Sequence, residues 1–232
     1  MKVNFLSFAD AKYTSTLERI KNEALNMKIF DNIICLNEND IENEIIEHKS
    51  FIQNNKRGYG YWIWKPRMIM KILNTLEEGD ILLYCDAGCT LNIEGINRLN
   101  EYIDITKMHD ILTFHLTHKE KKWNKMDSLK LLPQEEWSSQ QRMATVIFMV
   151  NCDKIRTIVS EWIRITADYH MIDDTPSIEE NDPTFEEHRH DQSIFSIVCK
   201  LNNAFSIPDE TWFNNGWEQN KMYPIHATRL KY

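Results

Sequence analysis

Short apolar segments alternate with segments of helical periodicity along most of this 232-residue chain, and this order constrains its fold more than any other feature. The apolar segments predict strands over residues 3–8, 29–36, 81–85, 110–116 and 144–150. The periodic segments predict helices over residues 10–26, 40–50, 66–76, 92–103, 153–169 and 194–201. Such alternation is typical of a mostly parallel sheet covered by helices on both faces. We therefore predict a single α/β domain spanning residues 1–232.

Length, charge and cysteine content exclude several classes of protein. The length suits one sizeable domain with a full core. A formal net charge of −8, with no run of five Lys or Arg residues, argues against a nucleic-acid-binding surface. No apolar stretch reaches the roughly 20 residues that a membrane span needs, and the first apolar segment is too short for a signal peptide. Five cysteines without a C-x-x-C pair predict neither a disulfide framework nor a zinc ribbon. We expect a soluble, cytoplasmic protein.

An aromatic tract at residues 57–66, with the sequence RGYGYWIWKP, fits neither a helical stripe nor strand alternation. Its glycines permit positive φ or close backbone approach, and its rings offer flat faces on which a base or a sugar stacks. One interpretation is a ligand-binding surface, and the other is a set of rings that fills a core. The residues predicted to bind a ligand are Arg57, Tyr59, Tyr61, Trp62, Trp64 and Lys65.

Asp86 follows the apolar strand predicted over residues 81–85. In α/β sheets, ligands bind beyond the carboxyl ends of strands. The small residues Ala87 and Gly88 leave room for a metal-bound phosphate beside this acid, so we predict that all three contact one. The alternative is that Asp86 is only a turn residue or a helix N-cap.

A second polar cluster, EHRHDQS at residues 187–193, opens the predicted helix over residues 194–201. Free N–H groups and the helix dipole lie near the first turn of a helix. Asp191 and Gln192 are therefore predicted to form a polar pocket wall, although they also suit a solvated first turn. The acidic segment before them, residues 171–190, is predicted to be irregular, either as a solvated surface loop or as a lid on the acceptor side.

These tracts together resemble glycosyltransferases of the GT-A fold, and more narrowly a family found in bacterial polysaccharide loci and large DNA viruses. The resemblance is carried by residues 57–66, 79–89, 121–127, 169–177 and 188–195. It implies a GT-A-like, Rossmann-like domain that transfers a hexose from a nucleotide-sugar donor to a glycan or other hydroxyl acceptor in polysaccharide or glycoconjugate synthesis. A divalent cation, Mn²⁺ or Mg²⁺, is implied as the cofactor. Residues 1–116 would bind the donor, and residues 117–232 would form the acceptor side and a C-terminal tail.

The resemblance also implies roles for single residues. Asp86 matches the first acid of an Asp-x-Asp motif that holds the metal, but Gly88 stands at the second. Asp191 and Gln192 match a catalytic pair that lies against the donor sugar in retaining galactosyltransferases, which favours retention slightly over inversion. His226 matches a tail histidine that completes the metal site, although a lone histidine is also often structural.

Two other functions fit parts of the sequence. Asp86 to Thr90 also matches the Asp-x-Gly-x-Thr phosphate loop of phosphotransfer enzymes. The missing second carboxylate is compatible with a non-catalytic module that binds nucleotide sugars.

Overall fold

A seven-stranded sheet forms the centre of the structure, a computed structural model that describes residues 1–230. The strands are β1 (Val3–Phe8), β2 (Asn32–Leu36), β3 (Ile81–Cys85), β4 (Thr90–Leu91), β5 (Ile111–Lys119), β6 (Gln140–Arg142), β7 (Val146–Val150), β8 (Ser206–Pro208) and β9 (Ile225–His226). The central order is β2-β1-β3-β7-β5-β6, with β8 also paired to β5, while β4 and β9 form a separate two-stranded sheet.

The central sheet is mostly parallel, as predicted. Strand β1 pairs in parallel with β2 and β3, and β5 pairs in parallel with β8. Strand β7 is antiparallel to β3 and β5, and β6 is antiparallel to β5. Strands β6 and β7 therefore run against the other five.

Ten helical segments connect or flank these strands within residues 1–230. They are α1 (Thr14–Met27), α2 (Glu42–Ile45), α3 (Lys49–Asn54), α4 (Gly58–Tyr61), α5 (Trp64–Leu73), α6 (Ile96–His109), α7 (Glu120–Trp123), α8 (Met126–Leu129), α9 (Asp153–Thr166) and α10 (His190–Leu201). The single helix predicted over residues 40–50 is instead two short helices, α2 and α3, separated by a 3₁₀ turn at Ile46–His48. None of the helices in the described part of the chain is long and apolar enough to cross a membrane.

Helices cover both faces of the sheet and enclose two hydrophobic cores. Neighbouring strand residues point to opposite faces, so Phe5 of β1 packs in the core beneath α1 and α6, and Leu6 packs beneath α5, α9 and α10. Leu83 and Tyr84 of β3 alternate in the same way. The predicted α/β fold with helices on both faces is confirmed.

The aromatic tract folds into a left-handed turn, which explains why it fits no regular pattern. Five consecutive residues have positive φ: Gly58 (57°), Tyr59 (54°), Gly60 (82°), Tyr61 (53°) and Trp62 (61°). The N–H groups of Tyr61 and Trp62 donate to the carbonyls of Arg57 and Gly58, at 2.8 and 3.0 Å. This conformation costs non-glycine residues about 1–2 kcal/mol each.

Both glycines of the turn are also required by space. A Cβ atom on Gly58 would lie 2.4 Å from the Trp62 indole, and one on Gly60 would lie 2.6 Å from Ile52 Cγ1. A side chain at either position would clash with its neighbour, so only glycine allows this close packing.

The sheet topology determines where a ligand site forms. The chain adds β2 on one side of β1 and then β3 on the other, so the strand order reverses between β1 and β3. Ligands of open α/β sheets bind beyond the carboxyl ends of the strands at such a reversal. Phe8 ends β1 and Asp86 follows β3 at this edge.

Candidate active site

A cleft of about 1180 Å³ opens beyond the carboxyl ends of β1 and β3. Its lining includes Phe8, Tyr59 and Trp62, and also His118, Arg189 and Trp212. Both of the predicted halves of the chain, residues 1–116 and 117–232, contribute to it. The volume exceeds the upper end of ordinary small-molecule pockets, about 1,000 Å³, which leaves space for two substrates.

Lys65 lies at the floor of the cleft between two carboxylates. Its Nζ atom is 3.2 Å from Asp86 Oδ1 and 3.1 Å from Asp191 Oδ2. It also donates to the carbonyl of Ala144 at 3.1 Å, and Tyr84 Oη donates to Asp86 Oδ1 at 2.5 Å. Three residues that are distant in sequence thus form one charged cluster, which we call the Lys65 cluster (Lys65, Asp86 and Asp191).

Burial and charge oppose each other in this cluster. Lys65 and Asp191 are 2% and 4% exposed. Burial raises the pKa of Asp191 to about 6, against the attraction of Lys65, because a buried carboxylate loses its hydration. Burial alone would lower the pKa of Lys65, but the carboxylates of Asp191 and Asp86 outweigh it and raise that pKa. At neutral pH the ionised Asp191 therefore pairs with the protonated Lys65.

Asp191 is expected to make the protein less stable as pH rises from about 4 to about 6. Its folded pKa of about 6 exceeds the unfolded value of about 3.9, so the native state binds more protons in this window. The unfolding free energy of the wild-type chain, relative to that of Asp191→Asn, is expected to fall as pH rises through this window and to stay level at higher pH. Urea unfolding at a series of pH values measures this difference, and a level difference throughout would contradict the prediction.

Gln192 is oriented by a buried acid. Its Nε2 donates to Gln141 Oε1 at 2.8 Å, and Gln141 Nε2 lies 3.5 Å from Glu120 Oε2. Glu120 is 0% exposed and accepts from Asn124 at 2.6 Å. Because a carboxylate only accepts hydrogen bonds, Glu120 orients the Gln141 amide, which in turn orients the Gln192 amide.

Most of the residues predicted to bind the donor line this cleft. They are Arg57, Tyr59, Trp62, Trp64, Lys65, Asp86, Ala87 and Gly88, and the predicted catalytic pair Asp191 and Gln192 lines it too. Phe8 adds a ring that the sequence patterns did not indicate, 4.0 Å from the Trp64 ring. The aromatic tract thus forms one wall of the cleft and also packs into the core through Tyr61 and Trp64, while ligand binding by the tract stays a prediction.

Two predicted site residues lie away from the cleft lining. Tyr61 is buried against the acidic loop, where its hydroxyl donates to Asp174 at 2.9 Å. His226 belongs to β9 and packs between the rings of Phe213 and Trp217, at 6.3 and 5.9 Å. Local strand pairing of β9 with β4 holds it there.

The acidic loop, residues 171–190, is irregular as predicted and is tied to the rest of the chain by many contacts. Asp174 and Glu187 bind Arg57 at 3.4 and 2.6 Å. The Nδ1–H of His190 donates to the carbonyl of Ile172 at 2.8 Å. The loop thus contacts the aromatic tract directly, which a freely solvated segment would not.

The side chains present do not form a metal site for the predicted divalent cation. Asp86 Oδ1 already contacts Lys65 and Tyr84, and the other carboxylate at this point, Asp191, contacts the same ammonium. Gly88 offers no side chain, and His226 lies outside the cleft lining. Within residues 1–230, no three His, Cys, Asp or Glu side chains cluster as metal ligands. In such sites Mg²⁺ takes one or two protein carboxylates together with substrate phosphates and water, and here the two carboxylates available already pair with the ammonium of Lys65.

The fold resembles that of several solved glycosyltransferases. A glycosyltransferase involved in the glycosylation of the major capsid of PBCV-1 has a TM-score of 0.53 at 13% identity, over 97% of this chain and 93% of that one. Mouse xyloside xylosyltransferase 1 has a TM-score of 0.50 at 8% identity, over 98% and 97%. The bifunctional glycosyltransferase WbbM has a TM-score of 0.53 at 11% identity, over 90% of this chain and 39% of that one.

Sequence comparisons give no closer relationship. No protein-family model matches the chain, and no curated protein matches it in sequence. At identities of 8–13% the structural likeness concerns the fold. The strand order, the helices on both faces and these likenesses show that the chain has the GT-A-like fold of glycosyltransferases.

Proposed function

We propose that this chain transfers a sugar from a nucleotide-sugar donor to a hydroxyl group of a glycan or glycoconjugate. The observation that carries the proposal is the Lys65 cluster, because it gathers two carboxylates and a buried ammonium at the strand-order reversal of a GT-A-like fold. Charged groups held in a fixed geometry away from water are the main source of transition-state stabilisation in enzymes.

The donor would lie with its nucleotide against the aromatic wall. Phe8, at the end of β1, lines the cleft together with Tyr59 and Trp62, and Asp86 lines it just beyond β3. Ring faces accommodate any base, since every base has a π-face. The sugar would then lie beside Asp191 and Gln192, and the acceptor would occupy the remaining space of the cleft.

Asp191 would act on the donor sugar as a carboxylate. Cleavage of the bond to the diphosphate leaves positive charge on the sugar, and a preorganised negative charge stabilises it. Lys65 keeps Asp191 ionised by offsetting part of the cost of its burial. Retention of anomeric configuration is the outcome we propose for the transfer. In an inverting reaction a carboxylate would instead take the acceptor proton.

The phosphotransfer alternative is less well supported by the geometry. Its motif requires Thr90 to face a phosphate, but Thr90 Oγ1 lies in β4 and forms a hydrogen bond with Thr228 Oγ1 at 2.9 Å. A non-catalytic nucleotide-sugar-binding module remains the second candidate because it would share the same cleft.

A donor screen tests the proposed function. Purified protein is incubated with a panel of nucleotide sugars and glycan acceptors, and release of nucleoside diphosphate is measured with ATP hydrolysis as the comparison. One donor is expected to release diphosphate faster when acceptor is present, and NMR of the product then gives its anomeric configuration. Donor binding without turnover would favour the binding module, and ATP hydrolysis alone would favour phosphotransfer.

Trp62→Ala is expected to weaken nucleotide binding by about one to two decades, because loss of one stacking ring costs about 1–3 kcal/mol. Titration calorimetry with the nucleoside diphosphate of the preferred donor measures it. Trp137→Ala, at a tryptophan outside the cleft lining, is the matched control and should leave this affinity unchanged. Equal affinity in Trp62→Ala and the wild-type chain, with both folded, would contradict the assignment.

A further inference from the structure

Two arginines that line the cleft have no role in the scheme above. Arg189 precedes α10, and its guanidinium lies 4.0 Å from the ring centroid of Trp123. Arg229 comes from the C-terminal segment, and its guanidinium lies 5.8 Å from the ring centroid of Trp212. Both side chains are therefore held against indole rings at the cleft.

Neither guanidinium has a carboxylate of its own. Within residues 1–230, Arg229 has no carboxylate within 4.0 Å. Arg189 reaches Glu187 at 3.6 Å, but Glu187 is already bound to Arg57 at 2.6 Å. Arg57 and Arg189 thus share one glutamate, and Asp174 is a further contact of Arg57 alone.

These arginines also repel one another. Burial lowers the pKa of Arg189, and the positive charges of Arg229 and Arg57 lower it further. A collection of like charges is unfavourable unless an anion joins it. The cleft lining contains six Lys and Arg residues and four Asp residues, so its formal charge is positive, whereas the whole chain has a net charge of −8.

The C-terminal segment places Arg229 beside the loop that carries Asp86. The N–H of Leu230 and the hydroxyl of Thr228 both donate to the carbonyl of Gly88, each at 3.0 Å. A Cβ atom on Gly88 would lie 3.4 Å from Arg229 Cα. The backbone of the arginine thus fills the direction in which a second carboxylate after Asp86 would point.

We infer that Arg189 and Arg229 bind the diphosphate of the donor, and that their charge serves there in place of a divalent cation. The planar guanidinium donates two parallel hydrogen bonds to phosphate oxygens and stays charged at any physiological pH. The identity of the ligand as a sugar donor rests on the proposed function, whereas binding of a diphosphate group does not.

Titration calorimetry with inorganic pyrophosphate tests this inference. Pyrophosphate is expected to bind in EDTA about as tightly as in excess Mn²⁺. Arg189→Ala and Arg229→Ala are each expected to weaken binding in EDTA by about tenfold or more, as loss of a charge-assisted hydrogen bond predicts. Arg164→Ala, an exposed arginine of α9 outside the cleft, is the matched control and should bind like the wild-type chain.

Two results would overturn the inference. One is binding of pyrophosphate only when Mn²⁺ is present, and the other is unchanged affinity in both alanine variants in EDTA. If an alanine variant does not fold, as thermal unfolding would show, Arg189→Lys and Arg229→Lys replace it. These keep the charge but lose the paired donors, so weaker binding supports the inference and wild-type binding contradicts it.

The outcome is separable from that of the proposed function. Pyrophosphate binding through the arginines without any sugar transfer would contradict the transferase proposal and leave the diphosphate site intact. If sugar transfer depends strictly on Mn²⁺ and pyrophosphate binding is insensitive to both arginines, the transferase proposal stands and the diphosphate site is contradicted.

Discussion

Asp191→Asn is expected to lower turnover by about 10²-fold or more while changing donor affinity little. The substitution keeps the size of the side chain and removes its charge, so the sugar loses its nearest preorganised carboxylate in the transition state. Lys65 retains Asp86 at 3.2 Å as an ion-pair partner, so the variant is expected to fold. Steady-state kinetics with the preferred donor gives turnover, and calorimetry gives donor affinity.

Asp104→Asn is the matched control for this measurement, because Asp104 is an exposed carboxylate of α6 outside the cleft. It should turn over like the wild-type chain. Near wild-type turnover in both Asp191→Asn and Gln192→Ala would show that the reaction centre lies elsewhere. The acidic loop carboxylates Asp173 and Asp174 would then be the next residues to substitute.

Lys65→Met is expected to destabilise the fold by about 3–5 kcal/mol, because removal of one partner leaves a buried charge uncompensated. Asp191 is 4% exposed and would bear most of this cost, whereas the Asp86 side chain is 32% exposed and is partly solvated. Methionine fills a similar volume, so the loss reports charge rather than a cavity. Urea unfolding monitored by tryptophan fluorescence measures it.

The double variant Lys65→Met with Asp191→Asn isolates the charge effect. With no carboxylate at position 191, loss of the ammonium should cost less, so the double variant is expected to be more stable than Lys65→Met alone. Lys154→Met is the control, since Lys154 is an exposed lysine of α9. A double variant no more stable than Lys65→Met would mean that packing, and not the charge of Asp191, sets the loss.

The elements that sequence predicts best are those defined by unbroken local patterns. Strands β1 and β3 have their predicted bounds, because each is a continuous apolar run with clear ends. Strand β6 was not predicted, since its polar sequence, QQR, is stabilised by pairing with β5 rather than by its own composition. Residues 40–50 have helical composition, but packing divides them into two helices. Tertiary contacts decide such cases, and a local pattern does not report them.

In the candidate site too, local motifs could be predicted from the sequence and tertiary contacts could not. The motifs at Asp86 and Asp191 indicated functional positions separately, and the structure brings both to Lys65. Lys65, in the aromatic tract, pairs with both acids, although they lie 21 and 126 positions after it in the sequence. No local sequence spacing reveals contacts between residues so far apart. Glu120 was not predicted as part of the site because an acid followed by two lysines in a surface-like segment gives no sign of complete burial.

The left-handed turn of the aromatic tract makes this wall of the cleft depend on contacts from distant residues for its order. Tyr59, Tyr61 and Trp62 hold an unfavourable backbone conformation, so contacts elsewhere must compensate for it. Those contacts come largely from the acidic loop and the start of α10, through Asp174 on the Tyr61 hydroxyl and the His190 ring 5.7 Å from that of Trp62. We therefore expect the turn and the acidic loop to gain or lose order as one cooperative unit with a shared opening free energy. Amide hydrogen exchange in the turn should follow that of the loop, although more than a hundred residues separate them in sequence.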